Sequence, residues 1–185
     1  MKMLRSMLAG VAVATIAGTA LAQGAPKTVQ TGVGGGGSPH VTSTWTMDGA
    51  TISISYGRPS LKGRAEDTLM PLGKPWRTGA DEATIITSDK PLTFGSVTLP
   101  AGSHTINTQP GESEWQLILG KLDKPGQWGV PYLPALEIGR APMKLGKANP
   151  PAEMVTYSID HANGGHVLRI EWGTKSATIP FTIGK

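Results

Sequence analysis

The chain has 185 residues, with 17 Lys+Arg against 13 Asp+Glu, and no cysteine. Disulfides, cysteine catalysis and lipid attachment through a cysteine are therefore excluded. The formal charge of +4 includes Lys2 and Arg5, and without them it falls to +2; with no long basic run, a nucleic-acid partner is not expected.

In chain order, the first segment reads as an export signal. Lys2 and Arg5 supply a positive start, Met7–Ala17 an apolar core, and Ala20-Leu21-Ala22 a small-residue cleavage pattern before Gln23. The apolar run is too short for a membrane anchor and is interrupted by Gly10, Thr15, Gly18 and Thr19. Residues 1–22 are thus expected to be a cleaved signal peptide. The mature chain is expected to be periplasmic or secreted, without a transmembrane segment and not a lipoprotein. Residues 23–39, with Gly34–Gly37 and few large apolar side chains, predict a flexible glycine-rich leader, because such a segment buries too little to offset its conformational entropy. Residues 40–185 are expected to form one domain.

From about residue 41 the hydrophobic pattern has period two. Ile52, Ile54 and Tyr56 share one face of a strand, as do Trp115, Leu117 and Leu119, then Val155, Tyr157 and Ile159, then Leu168, Ile170 and Trp172. The spacing predicts nine or ten short strands over 41–47, 50–56, 83–88, 96–99, 103–108, 114–119, 135–145, 153–160, 166–172 and 176–183. The last three read as a meander, turned at Asn163-Gly164 and again from Gly173. With 25 Gly and 15 Pro, helix is confined to turns near Ala65–Met70 and Pro150–Met154. The fold class is all-β, an antiparallel β-sandwich, with a partly closed β-barrel as the alternative.

Between the second and third of these strands lies YGRPSLKGRAEDTLMPLGKPWRTGADEA, Tyr56–Ala83. Nine of its 26 positions from 57 to 82 are charged, about a third, against 16% for the whole chain. Ordered loops of this length usually serve function. Its Tyr56-Gly-Arg-Pro-Ser-Leu-Lys-Gly-Arg64 and Trp76-Arg-Thr-Gly-Ala-Asp-Glu-Ala83 motifs resemble the hallmark of DUF2911, a bacterial family of unknown function. Leu99-Pro-Ala-Gly102, Glu114-Trp115 and Gln127-Trp-Gly129 extend the resemblance over residues 40–183. It implies a shared fold and names no reaction. The family pattern carries an aromatic residue where this chain has His104, and Val130–Pro151 is richer in Pro and Gly than that pattern.

Arg58, Lys62, Arg64 and Arg77 place four cations in one segment, suited to carboxylate, phosphate or sulfate oxygens. Trp76 offers a stacking face for a sugar ring, and Tyr56 an aromatic edge with a hydroxyl. Asp81 and Glu82 stand at the loop's exit; as neighbours on a strand they would point to opposite faces. The function this implies is binding of a small anionic or carbohydrate ligand, or of an envelope partner, through the Arg58–Glu82 loop. One alternative is a hydrolase using His104 as a general base with Asp81 or Glu82. The other is a structural interaction domain whose loop is held by ion pairs such as Arg58–Asp81. His161 and His166 bracket a turn and could meet across it, but their spacing matches no metal motif; no metal and no cofactor are expected.

Overall fold

In the computed structural model, which describes residues 25–162 and 164–185, period-two alternation becomes strand almost throughout. The ten strands are β1 (Lys27–Val33), β2 (Pro39–Met47), β3 (Ala50–Gly57), β4 (Thr84–Ser88), β5 (Leu92–Phe94), β6 (Val97–Leu99), β7 (Gly102–Gln109), β8 (Glu114–Lys121), β9 (Glu137–Ala162) and β10 (Gly165–Ile183). A single helical turn, α1 (Glu66–Leu69), lies in the long loop, and a 3-10 turn covers Pro134–Leu136. Every strand pairing is antiparallel, in the order β1-β2-β3-β4-β7-β8-β9-β10-β5-β6. The order has two ends, so the sheet does not close into a barrel. The expected export signal over residues 1–22 lies outside the described residues. Among the described residues no helix is long and apolar enough to cross a membrane.

A core arises because this one sheet bends over itself. The two strands expected at 135–145 and 153–160 are one strand, β9, and those expected at 166–172 and 176–183 are one strand, β10. Their pairing breaks where Gly173 faces Ala152 and Lys175 faces Lys147, leaving Ala148–Pro151 opposite Thr174 alone. This bulge bends the hairpin instead of ending it, so Gly173 opens no turn and Pro150–Met154 is strand, not helix. Beyond the bend, the far half of the hairpin lies over the inner face of the sheet. Tyr157 meets Tyr56 edge-on at 4.6 Å, and Trp172 stacks on Trp76 at 5.4 Å. Ile52, Ile54, Ile106, Leu117, Leu119, Val155 and Ile170 are among the fully buried side chains between the layers, each contributing about 1.5–3 kcal/mol.

The opposite face of the sheet is polar and paired across strands. Thr42 bonds Ser55 at 2.8 Å, and Thr87 bonds Ser103 at 2.8 Å, the hydroxyl pairs that support an exposed sheet face. The leader also differs from expectation. Lys27–Val33 forms β1 and pairs with Val33↔Pro39 through Lys27↔Thr44 of β2. All seven of its residues are exposed, so main-chain hydrogen bonds hold it rather than burial, and a hydrophobic pattern carries no trace of such an edge strand.

Candidate functional site

The charged loop is tied to the body at four places, and its polar groups do most of the tying. After β3 it crosses to β9, where Leu61 N–H donates to Glu153 O at 2.9 Å and Val155 N–H to Pro59 O at 3.1 Å. The Glu153 carboxylate accepts the Ser60 hydroxyl and, at 2.8 Å, the Lys62 N–H; the Ser60 bond first and then the Lys62 bond hold it below the usual carboxylate range. From α1, Glu66 accepts the N–H and hydroxyl of Thr174. Its carboxylate fills the space over Gly173, where a Cβ would sit 2.1 Å from Glu66 Oε1. Trp76 then exchanges two main-chain bonds with Thr108, at 2.6 and 2.9 Å. At the exit, Ala83 N–H donates to Gln127 O and Gly129 N–H to Asp81 O, so the Gln-Trp-Gly motif pairs with Asp-Glu-Ala.

The residues expected to meet a ligand occupy these ties. Arg58 donates from Nε to Val155 O at 3.1 Å and from Nη2 to Thr156 Oγ1 at 3.0 Å. Arg64 donates to Leu61 O and Ser60 O, and Arg77 Nε to Gly79 O. Lys62 is exposed. Trp76 is only 9% exposed, stacked on Trp172 and edge-on to Trp115 at 6.1 Å, so its faces are taken by the core. Tyr56 is buried and its hydroxyl accepts the Tyr157 N–H at 3.3 Å. Among the described residues none of the four cations forms an ion pair with Asp81 or Glu82, and each of the three guanidinium groups bonds a different stretch of main chain.

Both carboxylates face His40 instead. Asp81 Oδ2 lies 2.9 Å from Nε2 and Glu82 Oε2 3.2 Å from Nδ1. Adjacent acids reach one ring because Asp81 has φ +63°, a left-handed turn that breaks strand alternation. Thr78, three residues earlier, also has φ +53°, costly for a β-branched residue at about 1–3 kcal/mol. It is held there by its hydroxyl bonds to Trp76 O and Thr108 and by Tyr157 and Thr84 donating to its carbonyl. Burial pushes the Tyr157 phenol far above its ordinary value. Gly34 covers the cluster so closely that a Cβ there would lie 1.8 Å from Asp81 Oδ2. His40 Nε2 donates to Asp81 Oδ2, while Glu82 Oε2 lies within ion-pair range of Nδ1 without a hydrogen bond; through Asp81, His40 is a clasp between β2 and the loop exit. His104 is elsewhere, opposite Ile86 in β4 and bonded from Nε2 to Pro100 O at 2.9 Å; among the described residues it forms no hydrogen bond or ion pair with Asp81 or Glu82.

The sequence motifs do not place His40 beside Asp81 and Glu82, yet a signal for it exists. Asp48 and Gly49 both have positive φ, the two-residue hairpin favoured by Asp-Gly, and counting back from it sets His40 opposite Gly57 at the loop's mouth.

The family described as a protein of unknown function, DUF2911, matches residues 38–181. The chain belongs to the DUF2911 family. No curated protein and no solved structure matches the chain. The DUF2911 match begins just before His40 and runs through β10, leaving β1 outside it.

Two further features of this DUF2911 chain border the loop. A cavity of about 350 Å³ opens beneath α1, lined by Asp67, Met70, Leu72, Glu112, Trp115 and Lys175 together with the Pro110-Gly111 turn. On the outer face, Glu137 accepts from Arg140 at 2.8 and 2.9 Å and from the Tyr132 hydroxyl, while Arg140 also donates to Gln109 at 2.7 Å. The Arg140 bonds lower the Glu137 pKa, and burial, then Glu137, raises that of Tyr132. This group closes the 122–136 segment over β7 and β8 and leaves only about 20 Å³ beneath it, room for a water.

Proposed function

We propose that the protein is an exported, non-enzymatic binding module that takes a small polyhydroxylated ligand, or such a group on an envelope partner, against the Arg58–Glu82 loop in the cavity beneath α1. The observation that carries this reading is the cavity itself. Its volume of about 350 Å³ falls in the range of small-molecule sites, and its lining joins apolar side chains with a few polar groups. Met70, Pro110 and Trp115 are buried, whereas Asp67, Leu72 and Glu112 are exposed. Two carboxylates against Lys175 disfavour an anion, and carboxylates accept hydroxyl donors well. Three of the four loop cations, Arg58, Arg64 and Arg77, donate to main-chain oxygens, which favours the polyhydroxylated reading over the anionic one.

Calorimetric titration of mono- and disaccharides, sugar phosphates and dicarboxylates tests it. Neutral sugars are expected to bind, and Asp67→Asn/Glu112→Gln protein is expected to bind them at least about tenfold more weakly, the loss of one charge-assisted hydrogen bond. Unchanged affinity in that variant for every ligand that binds would remove the cavity as the site.

A further inference from the structure

We propose that His161 and His166 form a two-nitrogen site for a divalent transition-metal ion of the zinc or copper class, with Asp48 orienting His166. The two histidines face each other directly across the β9–β10 ladder, and their ring centroids are 5.2 Å apart. Two imidazoles sharing a tetrahedral ion at metal–nitrogen distances of about 2.0–2.1 Å have centroids about 5 Å apart. The rings already stand at that separation.

The state of His166 is the second, independent observation. It is 2% exposed, and its Nε2–H donates to Asp48 Oδ2 at 2.9 Å, from the turn between β2 and β3. That bond leaves Nδ1 as the lone-pair nitrogen of the neutral ring, and Nδ1 is buried without a hydrogen-bond partner. A buried acceptor without a donor is costly to leave unmet. A carboxylate on one ring nitrogen with the other left bare is the arrangement by which metal-binding histidines are oriented and made more basic. Phe181 holds the ring on its other side, 5.3 Å away. The histidine also lines a cavity of about 410 Å³ at the hairpin tip, with Gly165, Phe181 and Thr182. Among the described residues no third imidazole or carboxylate completes the set, so water would supply the remaining ligands. This is the open kind of site, with exchangeable ion, rather than a closed structural one.

The experiment is titration of the tag-free mature protein with ZnCl₂ and with CuCl₂, followed by calorimetry and, for copper, by electron paramagnetic resonance. One ion is expected per chain, copper tighter than zinc, with hyperfine splitting from two nitrogens. His161 is exposed, so His161→Ala should fold as the wild type does and lose at least tenfold in affinity and one nitrogen from the spectrum. Asp48→Asn is expected to weaken binding about 10–100-fold. His40→Ala and His104→Ala should bind as the wild type does. Absence of binding to the wild type, equal binding by His161→Ala, or loss of binding in His40→Ala would each overturn the proposal.

Discussion

Two segments of this chain invite opposite expectations, and the structure exchanges their roles. The Gly57–Ala83 loop is dense in charge and carries the family motifs, yet Arg58, Arg64 and Arg77 are bonded to main-chain carbonyls. Residues 27–40 look featureless, yet they add an edge strand and bring Gly34 and His40 onto Asp81. The difference teaches what charge in an ordered loop is for. A long irregular segment packed on a sheet leaves many N–H and C=O groups without regular partners, and each must be satisfied. Long side chains with several donors, and carboxylates with several acceptor positions, do this for backbone that no ladder can serve. Charge density therefore marks a loop that is docked before it marks a loop that binds.

The largest effect that can break this comparison is at Trp76. Trp76→Ala removes a ring packed between Trp172 and Trp115 and is expected to cost about 3–5 kcal/mol in urea unfolding; a loss near zero would return the ring to a surface role. Next comes Arg58→Ala. With Val155 O and Thr156 left without their donor, a loss of about 1.5–3 kcal/mol is expected from the same measurement, and stability equal to wild type would mean that the guanidinium is free for a ligand.

The leader is tested by a pair of alanines. Gly34→Ala drives a Cβ into Asp81, whereas Gly35→Ala meets nothing within 4 Å. About 1 kcal/mol is expected to be lost in the first and essentially nothing in the second. Equal stabilities would show that the turn does not hold the clasp in solution.

The smallest effect is one of pH. Because Glu153 sits below the ordinary value of 4.5 in the folded protein, its contribution is present above that value and is lost as pH falls through the folded one. Glu153→Gln should flatten the acid limb of the stability profile below about pH 5. A limb of unchanged slope would mean that the carboxylate does not tie the loop to β9.

How much was legible depends on whether a feature is written locally. Strands β2, β3, β4, β7 and β8 follow from alternation that each segment carries within itself, and the all-β class follows with them. The charged loop, α1 and the family motifs are likewise local. Pro150, Pro151 and Gly173 punctuate the bulge in β9 and β10 in the same way as they punctuate a turn, so the local pattern there predicts two strand ends in each. β1 carries no hydrophobic alternation because this edge strand buries nothing.

By itself, then, the chain determined its antiparallel strands, its family and the places where polar side chains concentrate. Only the folded arrangement decided which groups those side chains face: His40 between Asp81 and Glu82, Glu66 on Thr174, Trp76 against Trp172, and His166 beside His161. The physical reason is distance along the chain. Alternation acts between neighbours, whereas Glu66 finds its partner 108 residues away and His166 finds Asp48 118 residues away; such pairings exist only once the bent hairpin has closed over the sheet.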